Sequence, residues 1–394
     1  MTTSDMDHDV IVLGAGPVGL AVAAALGREG LSVALLERSA LAAYDGPRND
    51  EDWDARVYAL SPGSAEFLRG LGAWQRLPPE RLAAIEMMDV HGDGGGAIGF
   101  SAYDLGERAL AWIVENRELC ATLVEAVRTC AAVAVLAPCE PTAIGWDADS
   151  ALVTLADGRR LSARLLVGAD GVHSWVRREA GIAREPRGYG QTAVVANFVA
   201  EHAHRGRAFQ WFVDGQGVLA WLPLPGRRIS MVWSAPDAVA QELLALDAAA
   251  LAQRVAAGGG RVLGALTLIT RPATFPLSFL KLDSLIGSRL ALVGDAAHVV
   301  HPLAGQGVNL GLGDAATLAA VLKAGAPVCD VGASILLERY ARRRALPVLA
   351  MQLVTDGLVR LFAVPPLRLL RNRGMNLVAS IAPVRRLLAQ PALR

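Results

Sequence analysis

Lysine is almost missing from this chain. Lys281 and Lys323 are the only two among 38 basic residues in 394, so nearly all positive charge is guanidinium. Charged residues of both signs make up 19%, and they cancel to a formal net charge of zero. That balance excludes a global basic field for nucleic acid, and a strongly charged disordered chain as well. Cysteine is scarce too. Cys120, Cys130, Cys139 and Cys329 form no C-x-x-C pair and no cluster with histidine, which points to reduced thiols in a reducing compartment. No H-E-x-x-H spacing occurs, so no metal site is expected, and His298 and His301 are read as loop-shaping residues. No run of about 18 apolar residues escapes interruption by charge, so no membrane-spanning helix is expected. Met1 to Asp9 is polar and acidic, unlike a signal peptide, and the expected location is the cytoplasm. What is abundant is apolar residue, 53%, enough for two joined domains around a large core.

The neutrality hides an asymmetry. From Arg339 onward stand eleven arginines, no lysine and one acid, Asp356, which leaves that segment at about +10 and the remainder at about −10.

The organising stretch is residues 9–38. Val10, Ile11, Val12 and Leu13 suit a parallel strand buried on both faces. Gly14, Gly16 and Gly19 then stand at the spacing of the dinucleotide fingerprint. Gly14 allows the tight turn, Gly16 lets a pyrophosphate approach the backbone, and Gly19 lets the helix pack on the strand. The helix N-terminus that follows is positively polarised and suits a diphosphate. A second strand, Val33 to Leu36, ends at Glu37 with Arg38 beside it. A carboxylate at Glu37 accepts from both ribose hydroxyls and repels a 2′-phosphate. The site is expected to hold an adenine dinucleotide.

After a polar loop from Ser39 to Asp54, DARVYALSPGSAEFLRGLG reads as a helix capped by Ser61 with Pro62 at its first position. Arg56, just before it, reads either as a solvated loop charge or as a phosphate ligand. Gly94, Gly96 and Gly99 imitate the fingerprint spacing, but no helix follows, and they read as a hairpin turn. A helix is expected over Arg117 to Cys130, and Asp157-Gly158 reads as a hairpin whose returning strand runs into Asp170-Gly171, Ser174 and Arg177. Between Gln191 and Ser234 the apolar period changes to about two. Four strands with regular turn signals describe an antiparallel sheet, with Phe198, Phe209, Trp211, Phe212, Trp221 and Trp233 as one wall of its core. Residues 237–257 read as helical. The densest motif follows a strand at 289–293: a turn from Gly294 through Asp295 to His298, a Pro- and Gly-rich loop from His301 to Gly307, and a long helix from near Val308. The tail, 346–394, alternates apolar stretches with arginines, and Pro365, Pro366 and Pro383 are expected to break it into short helices.

With these motifs placed, the chain resembles the class A flavoprotein aromatic hydroxylases, and within them the ubiquinone-biosynthesis hydroxylases. The resemblance runs from Val10 to about Arg386. GADGVHSWVR, with Asp170, Gly171, Ser174 and Arg177, is characteristic of the class. In GDAAHVVHPLAGQGVNLGLGD, the Gly-Gln-Gly-Val-Asn run is the signature of the ubiquinone branch, and DARVYALSPGS and VENREL match that branch in order. The tail departs from it, ending in QPALR without the glycine such proteins often carry after the last helix.

The resemblance implies an α/β fold with three parts. A Rossmann-like FAD-binding domain of the aromatic-hydroxylase type would take residues 1–80, 105–180 and 281–345. An inserted antiparallel-sheet substrate domain would take 81–104 and 181–280, and a helical basic segment 346–394. It implies a monooxygenase with non-covalent FAD, NAD(P)H as transient electron donor and O2, hydroxylating a polyprenylated phenol. Because the flavin supplies the electrophilic oxygen, no acid–base residue is required. Gly14, Gly16, Gly19, Glu37, Arg38, Arg56, Asn116, Arg117 and Asp295 would hold FAD. Asp170 and Arg177 would position FAD and the nicotinamide donor, or merely form a salt-linked turn. Pro302 would line the substrate side of the ring, and Gly305, Gln306 and Gly307 would form the catalytic loop with Val308 and Asn309. Backbone N–H groups at that helix start suit the negative charge of a reduced isoalloxazine. The basic tail itself reads either as C-terminal helix packed on the flavin domain with solvated arginines or as amphipathic pieces in peripheral contact with the inner membrane face, and membership of a biosynthetic complex stays open. A hydroxylase of a soluble phenol, a flavin-dependent reductase or dehydrogenase, and a non-catalytic FAD scaffold stay open as alternatives.

Overall fold

The computed structural model describes residues 6–41, 44, 46–47, 49, 52–182, 184–325 and 329–393. Its first sheet runs in the order Ile286–Gly287, Leu290–Leu292, Arg160–Gly168, His8–Leu13, Val33–Leu36, Val133–Leu136, and its central pairs are parallel. Alternation along the first strand explains its unbroken apolar run. Val10 and Val12 face a core shared with the Pro17–Arg28 and Gly307–Gly325 helices. Ile11 and Leu13 face a second core under the Pro141–Trp146 and Ala151–Leu155 hairpin. Both faces are covered, so both sets are apolar.

The second sheet runs His298–Val299, Ala273–Lys281, Arg187–Ala200, Arg228–Pro236, Gly217–Pro223, Arg207–Val213, Met87–His91, Ala97–Ser101. The four strands expected from the period-two pattern are its centre. Its pairing is antiparallel except between Arg207–Val213 and Met87–His91, which run parallel, a crossing that local pattern does not encode. Phe198, Trp221 and Trp233 are fully buried on one face, beneath two helices. Those helices, Asp237–Ala245 and Ala248–Gly258, fill the stretch expected to be helical, and Asp247 divides it by accepting the Ala250 N–H at 2.8 Å and starting the second. The other face carries Gln191, Ala193, Val195 and Asn197, and Asn197 Nδ2 donates to Asp54 O at 2.9 Å, in the loop before Val57–Leu60. A small third sheet, Val57–Leu60, Ala111–Glu115 and Ala83–Ile85, lies alongside.

The tail differs from expectation in one respect. Ser334–Phe362 is a single helix that continues through Pro347, so residue 346 lies inside it rather than at a boundary. By length and composition this helix is long and apolar enough to cross a membrane, which the sequence reading had excluded. Proline did not stop it because Val348, Met351, Gln352 and Thr355 on one of its faces are buried against the body of the protein. The chain does break at Pro365–Leu367 and again before the Ala382–Leu393 helix.

Candidate functional site

The first strand hands the chain to a turn at Gly14, where φ is +103° and an added Cβ would lie 2.5 Å from the Ala169 carbonyl oxygen. A Cβ at Gly19 would strike the Gly14 carbonyl. These two glycines are dictated by the protein's own backbone. Gly16 is different: a Cβ there would meet nothing within 4 Å. It is the N-cap of the Pro17–Arg28 helix and has no side chain to satisfy the first N–H groups, so open space and unpaired donors coincide. Glu37 closes the far side. Its Oε2 accepts the Ala15 N–H at 2.8 Å and its Oε1 the Ser39 N–H at 3.1 Å, which fixes the carboxylate with lone pairs to spare. Arg38 is exposed beside it.

The second motif is bonded to the third. Arg177 is fully buried, and its Nη1 and Nη2 donate to Ala296 O at 3.0 Å and to Val172 O at 2.9 Å. Asp170 accepts the Val176 N–H through Oδ2 at 3.0 Å. Among the described residues Asp170 and Arg177 are not ion-paired, so the motif is no salt-linked turn. It is a strut that sets the Gly294–Ala296 turn. Asp295 on that turn is solvent-exposed, yet desolvation raises its pKa, against the pull of His298 and Arg56. Asp295 is thus open to solvent on one side and flanked by protein on the other.

Below the turn sits a residue that sequence reasoning passed over. Asp314 is fully buried; its Oδ2 accepts the Gly294 N–H at 2.9 Å and lies 2.6 Å from His298 Nε2, and its Oδ1 accepts from Arg344 Nε at 2.6 Å. Burial opposes its ionisation, but His298 and Arg344 overcome that and hold its pKa below the usual carboxylate range. The signal was present: an acid inside an otherwise apolar helix, and an arginine triplet of which only Arg344 is buried.

The loop from His301 crosses to the second sheet. His301 Nε2 lies 2.9 Å from Gln191 Oε1, its ring meets Tyr189 edge-on at 5.1 Å, and burial lowers its pKa to about 4, so it is neutral at pH 7. Pro302 begins a 3-10 turn that Gly305 closes at φ +61°. Asn309 ties the loop down, because its Oδ1 accepts the Ser61 N–H at 3.0 Å and its Nδ2 donates to Ala59 O at 2.8 Å and to Gln306 Oε1 at 3.1 Å. Its side chain therefore serves the scaffold, and only its N–H, with those of Gly307 and Val308, belongs to the open first turn of the Gly307–Gly325 helix. At Gly307, as at Gly16, a Cβ would meet nothing within 4 Å.

The two arginines have different surroundings. Arg56 is exposed, with its guanidinium 5.4 Å from the ring centroids of Tyr58 and Phe275, which places it between the small third sheet and the second. Arg117 is held in a carboxylate cluster, with Nη1 2.7 Å from Asp52 Oδ1 and Nη2 3.4 Å from Glu115 Oε1. Asn116 Oδ1 accepts from the Tyr58 hydroxyl at 3.0 Å.

The Arg177 and Asp314 bonds join the turn that carries Asp295 to the helix that starts at Gly307, while Gly16 and Glu37 are joined through the Ala15 N–H. The gaps at two helix starts, the oriented carboxylate and the desolvated acid fit a dinucleotide with a diphosphate at one helix and an anionic ring at the other. That combination defines an FAD-binding flavoprotein. The chain belongs to the FAD binding domain family, whose model matches residues 7–355. It is 36% identical to ubiquinone hydroxylase UbiL of Rhodospirillum rubrum over 401 aligned positions, covering 99% of this chain and 90% of that protein. It is 32% identical to the 3-demethoxyubiquinol 3-hydroxylase of Escherichia coli, with 93% of each covered. Among solved structures, pqsL, a probable FAD-dependent monooxygenase from Pseudomonas aeruginosa, superposes with a TM-score of 0.75 at 27% identity, over 90% of this chain and 96% of that one.

Proposed function

We propose that this chain hydroxylates the aromatic ring of a polyprenylated phenol in ubiquinone biosynthesis, using FAD, NAD(P)H and O2. The observation that carries the reading is the open first turn of the Gly307–Gly325 helix, where a Cβ on Gly307 would meet no protein atom within 4 Å. The names of the relatives support it. Bound FAD supplies the activation of O2 and the electrophilic oxygen.

The chain's own residues bind and orient. The N–H groups following Gly16 hold the diphosphate, Glu37 the ribose, and Asp295 a ribityl hydroxyl. The N–H groups of Gly307, Val308 and Asn309 stabilise negative charge on the ring. Arg56 adds positive charge at the cleft, whereas Arg117, committed to Asp52, shapes the loop before it. Pro302 and Gly305 keep side chains away from the ring, and the Gln306–Asn309 bond holds them there. The apolar face of the sheet excludes water and takes the phenol ring. The flavin-binding part is assigned to 1–80, 105–180 and 281–345, and the substrate part to 81–104 and 181–280. The basic segment 346–394 brings the enzyme to the membrane that holds its substrate, or to partners of a biosynthetic complex there.

The test is to supply the FAD-loaded protein with NAD(P)H, O2 and a prenylated phenol, and to follow oxygen uptake and product mass. Gain of one oxygen atom in the ring is expected. Reduction of the substrate without oxygen uptake would make the protein a reductase on the same fold.

A further inference from the structure

The three C-terminal helices have an inner and an outer face. The inner face is fully engaged. Gln352 Nε2 donates to Leu280 O at 2.8 Å, and Asp356 Oδ1 accepts the Tyr189 hydroxyl at 3.2 Å. Phe362 stacks on Phe212 with ring centroids 3.5 Å apart. On the Arg368–Ser380 helix, Arg371 pairs with Asp93, and Asn372 Oδ1 accepts the N–H groups of Gly94 and Gly96 at 3.1 and 2.8 Å.

The outer face is bare and apolar. Leu346 and Leu353, seven residues apart on the long helix, are 75% and 65% exposed. Leu369 and Leu370 are 73% and 70% exposed, and Leu387 on the last helix is 66%. Exposed leucines that recur on three successive helices mark a contact with something else. Charge says what. Arg343, Arg373 and Arg386 are exposed among these leucines, while the single acid of the segment, Asp356, is turned inward to Tyr189 and Arg360. A second copy docked face to face would set arginine against arginine. An anionic bilayer presents both complements, phosphate at the surface and hydrocarbon beneath it.

We propose that the outer faces of these helices lie in the headgroup region of an anionic membrane, leucines in the acyl layer and arginines on lipid phosphates. The inference rests on the reading that the substrate carries a prenyl tail, and adds to it that insertion of leucine, rather than charge alone, holds the protein there. The long helix does not span the bilayer, since Gln352 and Asp356 bond its inner face to Leu280 and Tyr189. Because that face clamps the second sheet, docking holds the substrate cleft at the bilayer surface.

The test is flotation of the full FAD-loaded chain with phosphatidylcholine vesicles, with and without phosphatidylglycerol. Leu369→Ser combined with Leu370→Ser should lower partitioning about tenfold or more on both vesicle types, as expected when two buried leucines are lost. Arg373→Gln combined with Arg386→Gln should lower it only on anionic vesicles, and about 0.5 M salt should mimic that loss without reaching the leucine effect. Flavin content and melting temperature should stay unchanged in both. Flotation of the leucine variant at the wild-type level overturns the proposal, as does a wild type that does not float. So does a leucine variant that turns a dimer into a monomer with unchanged flotation. Hydroxylation of a short-chain soluble phenol by the same preparations separates the two readings: its absence in the wild type sinks the enzymatic assignment and leaves the flotation result standing.

Discussion

Gly16 and His301 show how single residues divide between ligand and fold. At Gly16, φ is −68°, a value any residue adopts, and no protein atom would meet a Cβ. Gly16→Val should therefore fold normally and yet fail to hold FAD, because the side chain takes the diphosphate's place. The check is flavin absorbance after gel filtration beside far-UV circular dichroism; a folded variant with full flavin content would falsify the cradle. His301 is 1% exposed, and its pKa falls from 6.5 to about 4 through burial. Its proton is thus bound more tightly by the unfolded chain. Stability from this residue is present above pH 6.5 and lost as pH falls toward 4, by on the order of 3 kcal/mol at about 1.4 kcal/mol per unit. His301→Gln should flatten that part of the pH–stability curve, measured by urea unfolding between pH 7 and 4 in steps of about half a unit. An unchanged slope would show that another group carries it.

At the scale of elements, the Gly307–Gly325 helix is placed by its neighbours, and the proposed function gives its start the task of tuning the flavin. Asn309 and Asp314 fix it to Ala59, Ser61 and Gly294, so the first-turn N–H groups are held still while Gly307 leaves space before them. Gly307→Val intrudes on the ring without striking protein. It should lower the hydroxylation rate on the order of 10²-fold while most FAD is retained. Stopped-flow rates beside flavin stoichiometry decide this, and equal losses in both would reduce the loop to a mere binding surface.

At the scale of the whole molecule, Arg371 and Asp93 join elements 278 residues apart, both side chains being 2% exposed. Burial works against the Asp93 carboxylate, and bonds from Arg371 and Asn372 outweigh it and lower its pKa. Arg371→Ala strands that carboxylate and should cost about 3 kcal/mol at pH 7. The loss should shrink as pH falls and Asp93 takes a proton. Denaturant midpoints at both ends of that range test it, and a cost below about 1 kcal/mol would mean the tail is only loosely held. The sequence by itself determined the turn between the first strand and helix, because Gly19 and Glu37 answer to contacts within one strand–helix–strand unit; the close approach of Gly14 to Ala169 came from the tertiary structure. It also determined the four central strands of the second sheet, since a half-buried strand writes its period into adjacent residues. Only the tertiary structure decided that Arg177 reaches Ala296, that Asp314 underpins the Gly294 turn, and that Asn309 serves the scaffold. It alone decided that Pro347 leaves its helix intact and that the arginine-rich tail clamps one sheet while baring leucine outward. Those outcomes depend on which distant surfaces meet, and no local periodicity or spacing records that.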